Sequence, residues 1–184
     1  MQITIHKTLF ELITGDIADQ ETDAVVTAAH WKLNKGSGTD GVIHTRGGPQ
    51  IYEECRRIGG CPIGDAVITT GGNLKAKHVI HAVGPVWRGG DEHEPELLAS
   101  AYRRSLEVAT EHKLKSISFP SISTGAFVYP IKLAAPIALK TICDYLQKEQ
   151  HTLEFVRLVL YTREDDKAFL VYEKALQELL ANQN

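Results

Sequence analysis

Three turns in this chain combine small residues with single polar groups in a way that could hold a bulky anionic ligand. The first is Gly15-Asp16-Ile17, which directly follows an apolar run. Gly15 permits a tight turn, and Asp16 offers a short carboxylate that serves either as a helix N-cap or as an acceptor for a ligand. The second is Lys35-Gly36-Ser37-Gly38-Thr39-Asp40-Gly41-Val42-Ile43-His44. A Gly-x-Gly loop that opens a helix brings backbone N–H groups close to a phosphate. It carries neither the Lys-Ser/Thr ending of a Walker loop nor the full GxGxxG spacing. The third is Phe119-Pro120-Ser121-Ile122-Ser123-Thr124-Gly125-Ala126-Phe127-Val128-Tyr129-Pro130. Its small residues make a second anion-ready turn of converging N–H groups, and Phe127 and Tyr129 add aromatic faces suited to a sugar or a base.

Other chemistry is poorly served. His78 and His81 are three apart on a strand-like run, so they point to opposite faces and are not expected to share a metal. His30 and His44 lie near the glycine loop, His44 reading as a packed or capping residue. Cys55, Cys61 and Cys143 form no CxxC pair, and buried reduced thiols are the expected state. No Gly-x-Ser-x-Gly elbow is present.

The elements that must position these turns follow from the apolar pattern. Residues 9–13, 24–28, 66–70, 78–83, 116–119 and 155–160 read as strands, several of them continuous apolar runs that suit burial on both faces. Helical periodicity covers 96–112, 131–150 and 164–180, and one further helix is expected to follow Asp40 and run past Cys55. Alternating strands and helices predict a mostly parallel sheet covered on both sides, with ligands beyond the carboxyl ends of the strands. The loops to inspect are those after Ile13, Ala28, Val83, Phe119 and Leu160. At 184 residues, 43% hydrophobic and 23% charged, the chain is expected to form one globular domain over 1–184. Its first residues are too short and too polar for a secretory signal, and no run is long enough for a membrane span, so a cytoplasmic location is expected. The net charge of −3 argues against nucleic acid as a partner. An anionic ligand would have to be held by backbone N–H groups rather than by a Lys/Arg clamp.

Together the pieces resemble the macro domain family, and within it the MacroD-type ADP-ribosyl hydrolases and bacterial O-acetyl-ADP-ribose deacetylases. The resemblance covers nearly the whole chain. It runs through Gly15-Asp16-Ile17, Asp23 to Ala29, the glycine loop to His44, Glu54-Cys55 and Cys61 to Ala66. It continues through Val79 to Trp87 and Phe119 to Gly125. It implies a three-layer α/β/α fold around a mixed, mostly parallel sheet of six or seven strands, with an ADP-ribose cleft at the strand ends. By the same resemblance, Asp16 would accept from the adenine amino group, with the Ile17 backbone beside it. Gly36, Ser37 and Gly38 would line the ribose and diphosphate, and Ser123, Thr124, Gly125, Ala126 and Phe127 would wrap the diphosphate. Asp40 would orient or activate a water at the distal ribose. No cofactor and no metal are implied, because the extra Cys and His ligands of the zinc-dependent members are missing from the glycine loop. The implied partners are ADP-ribose, its esters and mono-ADP-ribosylated proteins.

The chain departs from the family pattern at one place. Where the family reads Val-Asn-Ala-Ala-Asn, this sequence has Val26-Thr27-Ala28-Ala29-His30. Thr27 lacks an amide expected to brace the loop. His30 leaves three outcomes open: substitution for the asparagine as a hydrogen-bonding group, action as a base, or crowding of the distal ribose. Ser37 and Val128 replace glycines and are expected to narrow the cleft slightly. The expected function is hydrolysis of esters at the distal ribose, with His30 and Asp40 as the catalytic candidates. An ADP-ribose reader with little turnover, or a regulator that binds RNA or protein, stands as the alternative.

Overall fold

The computed structural model describes residues 1–161 and 167–182. Its strands are β1 (Gln2–Ile5), β2 (Thr8–Thr14), β3 (Ala24–Ala28), β4 (Ala66–Thr70), β5 (His78–Ala82), β6 (Ser116–Phe119) and β7 (Phe155–Leu160). They form one seven-stranded sheet in the order β1-β2-β7-β6-β3-β5-β4. The five inner strands run parallel, and the edge strands β1 and β4 pair antiparallel with β2 and β5.

The helices are α1 (Gly38–Gly47), α2 (Pro49–Ile58), α3 (Glu94–Glu111), α4 (Ile131–Leu146) and α5 (Lys167–Ala181). Alternating residues of each inner strand serve opposite layers, as the two-residue repeat of a strand requires. Val26 and Ile80 face the larger core, with Leu98, Tyr102, Leu139 and Tyr172 of α3, α4 and α5. Val25 and Val79 face the smaller core, with Ile43, Ile51 and Cys55 of α1 and α2. The result is the three-layer α/β/α arrangement that the resemblance implied, with seven strands in the sheet.

Three boundaries differ from the sequence reading. The helix expected to run unbroken from Asp40 past Cys55 is two helices: Gly48, at φ 85°, ends the first, and Pro49 opens the second. Proline has no N–H to lose at a helix start, which explains the break there. β1 was not anticipated; Ile3 and Ile5 alternate over only four residues, and the strand gains definition from its pairing with β2. The expected start of the last helix at Glu164 lies outside the described residues, and the observed helix begins at Lys167. No helix among the described residues is long and apolar enough to cross a membrane.

Candidate functional site

The sheet opens at one seam. β3 and β6 pair only through Ala24–Ile117 and Val25–Ser118, whereas β3 and β5 pair over five residues. The chain leaves β3 toward β4 and β5 but leaves β6 toward β7, so the winding direction reverses at this seam. In open parallel sheets such a reversal leaves a crevice beyond the strand ends, where ligands bind. A cleft of about 520 Å³ lies there, over the ends of β2, β7 and β6, with the start of α1 as its far wall.

Asp16 and Ile17 form one end of this cleft. Asp16 fills the capping role, and its second oxygen is engaged by an arginine. Its Oδ1 accepts from the Ala18 N–H at 2.8 Å, capping the one-turn 3₁₀ helix Ile17–Asp19, while Oδ2 accepts from Arg46 at 3.3 Å. Arg46 also holds Asp19. Lone pairs remain on a half-exposed carboxylate that faces the cleft. Val159, Tyr161 and Ala168 complete this end. The sequence singled out the loop after Leu160 but none of these residues, because nothing in their types marks them.

The middle of the cleft lies between two backbone features. Gly38 and Thr39, at the start of α1, form one wall. The helix cap, Ser37, makes no side-chain capping bond, so the first-turn N–H groups are not met by the cap and carry the positive end of the helix dipole. Ser121, Thr124 and Gly125 form the other wall. This second turn is held from behind. Val128 N–H donates to Gly125 O, Tyr129 N–H to Ser123 O, and Trp87 N–H to Phe127 O, at 2.9–3.0 Å. The Tyr102 hydroxyl accepts from Ile122 N–H at 2.9 Å.

Not every residue implied for this turn lines the cavity. Ser123 is 3% exposed and sits at φ 66°, which turns its side chain inward against Gly84. Ala126 and Phe127 lie outside the walls of the cavity, as do Gly36 and Ser37. Val128 does not narrow the cleft either: it is 63% exposed and at φ 51°. Gly125 is not in the left-handed region. A Cβ built there meets nothing, because it would point into the open cleft. The loop after Val83 supports the site without lining it, Trp87 stacking on Tyr129 at 4.6 Å.

At the far end, Asp40 is 3% exposed and faces the loop that precedes it. Its Oδ2 accepts from the Gly36 N–H at 2.7 Å, and its Oδ1 accepts from the Thr27 hydroxyl at 3.1 Å. Thr27 is therefore a brace in its own right, through a hydroxyl in place of the expected amide. Gly41 has to be a glycine here, because a Cβ would come within 2.9 Å of Gly36 O. His44 Nε2 lies 3.7 Å from Asp40 Oδ2, and its Nδ1 has no hydrogen-bond partner. Burial pushes the His44 pKa down, against the pull of Asp40. Behind it, one donor atom each of His44, Cys55 and His81 lie within 4.8 Å of one another. Burial favours the neutral forms of both groups deepest in this cluster: the Cys55 thiol is pushed up to about 12, and His81 down to about 3. His81 Nε2 is paired with Thr69 Oγ1 at 2.8 Å. His78, on the same strand, is only half-buried, as the opposite-face reading required.

His30 begins the loop. Its Nδ1 accepts from the Lys32 backbone N–H at 3.2 Å. A ring nitrogen that accepts cannot carry the proton, so in the neutral ring Nε2 carries it and is a donor.

A three-layer α/β/α domain whose crevice is walled by a helix N-terminus and a small-residue turn belongs to the α/β proteins that bind anionic ligands at a switch point. Comparison with known proteins gives the family. The macro domain family model matches residues 26–138, and the chain is a macro domain. It is 53% identical over 177 residues to a macro domain-containing protein of Caldanaerobacter subterraneus subsp. tengcongensis, covering 94% of this chain and 98% of the relative. It is 45% identical over 169 residues to a protein of Cronobacter turicensis named O-acetyl-ADP-ribose deacetylase, covering 90% and 94%. Among solved structures, the Oceanobacillus iheyensis macrodomain with ADP superposes with a TM-score of 0.92 at 37% identity, covering 99% of this chain and 97% of that one. A mutant of that macrodomain, solved with ADPR, matches equally well at 38% identity, covering 98% of each chain.

Proposed function

We propose that this macro domain binds ADP-ribose along the crevice and hydrolyses ester-linked groups from its distal ribose, with O-acetyl-ADP-ribose and mono-ADP-ribosyl-Glu/Asp on proteins as substrates. The observation that carries this reading is the pairing of two backbone anion sites across the crevice. The α1 N-terminus faces the Thr124–Gly125 turn, with Asp16 at one end and the His30–Asp40 loop at the other. Such a pair holds a diphosphate without a cationic clamp, which suits a chain of net charge −3. The deacetylase name of a 45% identical relative and the ADPR-bound macrodomain support the same ligand and reaction.

In this mechanism the adenine amino group donates to Asp16, and the diphosphate lies between the two turns. His30 presents Nε2–H to the distal ribose, replacing an amide donor by an imidazole donor. Asp40 acts as a positioning residue: by holding Gly36 N–H it sets the shape of the loop beside the ribose. Water then attacks the ester carbonyl, the acyl–oxygen bond breaks, and the ribose hydroxyl leaves with the proton. An activated ester in an oriented complex needs no covalent nucleophile.

The test is incubation with O-acetyl-ADP-ribose and with a protein mono-ADP-ribosylated on glutamate, reading released ADP-ribose. Release from at least one substrate is expected. Binding of ADP-ribose by calorimetry with release from neither would favour the second reading, an ADP-ribose reader. That reading draws on the burial of Asp40, whose two oxygens are both engaged. Absence of binding would overturn both.

A further inference from the structure

We infer that the surface loop 31–35 is the acceptor-side dock of this macro domain, and that it seats an acidic polypeptide segment carrying the ADP-ribosyl ester. The inference rests on the hydrolase reading above and names the larger part of its substrate.

The loop joins His30 to Gly36, the two ends of the chain assigned to the distal ribose. Whatever is attached to that ribose must leave the crevice beside it. The loop has one anchor: Leu33 is 2% exposed, stands at φ 54° and donates its N–H to His30 O at 2.7 Å. Around it, Trp31, Lys32, Asn34 and Lys35 are all exposed. Trp31 is 50% exposed, on a backbone that is tied down. Its carbonyl accepts from Cys61 N–H at 2.8 Å, and its ring lies 5.4 Å from that of His30. A large apolar ring open to solvent, on a backbone with little conformational freedom left to lose, is suited to contact a partner.

The charge along this loop is one-sided. Between Asp23 and Asp40 the sequence contains no carboxylate, and its only formal charges are Lys32 and Lys35. Among the described residues neither makes an ion pair. Lys32 Nζ lies over the Trp31 ring at 4.9 Å, and Lys35 Nζ over the Tyr52 ring at 5.2 Å. Elsewhere cations such as Arg46, Lys75, Arg104 and Arg157 are matched by carboxylates. Two uncompensated lysines on the loop that holds this exposed indole complement a peptide with carboxylates flanking the modified residue. Two cations on a chain of net charge −3 are a small electrostatic footprint for a nucleic-acid backbone, so the polypeptide is the better fit. An acetyl group is too small to reach the dock, and this separates the two substrates.

The experiment compares kcat/KM of the parent, Trp31→Ala and Lys32→Glu on O-acetyl-ADP-ribose and on a protein ADP-ribosylated at glutamate within an acidic segment. Both substitutions keep the backbone N–H that supports His30. Lys35 is left in place because its charge is felt at His44. On O-acetyl-ADP-ribose Lys32→Glu should stay within about twofold of the parent, while Trp31→Ala, whose ring lies against His30, should lose more on the protein substrate than on O-acetyl-ADP-ribose. On the protein substrate Lys32→Glu should lose about tenfold, and the parent's own rate should fall as salt rises. Equal losses on both substrates, or no loss on the protein, would overturn the inference. If the parent hydrolyses neither substrate, the hydrolase reading falls, and calorimetry decides the dock separately. A Glu-rich peptide carrying ADP-ribose should then bind about tenfold tighter than free ADP-ribose, with the advantage gone in Lys32→Glu. Equal affinities, or a preference for an ADP-ribosylated oligonucleotide over the peptide, would overturn it.

Discussion

The two turns that face each other across the crevice are held in different ways. The turn from Ser121 to Tyr129 is stitched mainly by backbone hydrogen bonds, backed by Trp87 and Tyr102, and tightened by its own Thr124 hydroxyl, which donates to Ser121 O. The loop from His30 to Gly38 has backbone bonds at Leu33 and Trp31, but both its ends are set by side chains: Asp40 on Gly36, Thr27 on Asp40, and the His30 ring on Lys32. A backbone-built wall tolerates sequence change, whereas a loop held by side chains transmits it. The departures at Thr27 and His30 fall on the second kind.

The comparison can be broken most severely on the stitched side. Gly125→Val should lower ADP-ribose affinity by about 100-fold or more, because the new side chain fills the cleft, while thermal melting stays near that of the parent. A folded variant with unchanged calorimetric affinity would remove this turn from the site. On the side-chain-held loop, Asp40→Ala frees the exposed Gly36 N–H and leaves the buried Thr27 hydroxyl unpaired, the latter at a cost of about 1–3 kcal/mol. Turnover of O-acetyl-ADP-ribose should drop by about 50-fold. Asp40→Asn, which still offers an oxygen to Gly36, should recover most of it. An equally inactive Asp40→Asn would make the charge itself essential and Asp40 more than a positioning residue.

A smaller effect is expected where neither wall is touched. Asp16→Ala should cost about tenfold in ADP-ribose affinity and little for ribose 5-phosphate, since one partly exposed charge-assisted hydrogen bond is lost. Equal losses for both ligands would reduce Asp16 to its capping role. The last change leaves ligand contacts untouched and acts on stability, in the layer beneath the loop. His81 is held neutral in the fold down to about pH 3, while an unfolded imidazole takes its proton near 6.5. The unfolded state therefore binds more protons in that window, and stability falls as pH drops through it, by up to about 1.4 kcal/mol per pH unit. Urea midpoints between pH 7 and 4 should show this slope, and His81→Asn should flatten it. A slope unchanged in the variant would place the titrating group elsewhere.

Much of the scaffold was legible because its causes are local. Continuous apolar runs such as Phe155–Leu160 read directly as strands covered on both faces, and the glycine turns stood where strands end. The break at Gly48-Pro49 was also written in the sequence, although one helix was expected to run across it. The direction of Ser123, the burial of Asp40 and the pairing of Asp16 with Arg46 were not legible. Each depends on a backbone angle or on a partner distant in sequence, and residue type alone does not report either.

The short pairing of β3 with β6 divides the sheet into two plates, one of four strands and one of three, joined by only two pairs of residues. A molecule lying across their ends would act as a splint, resisting their opening from the side where the ladder gives least support. The start of α1 follows β3 in one plate and the Thr124–Gly125 turn follows β6 in the other, so a ligand held between them bridges the seam. A substitution deep in the larger core, far from the crevice, could alter affinity through the plates alone.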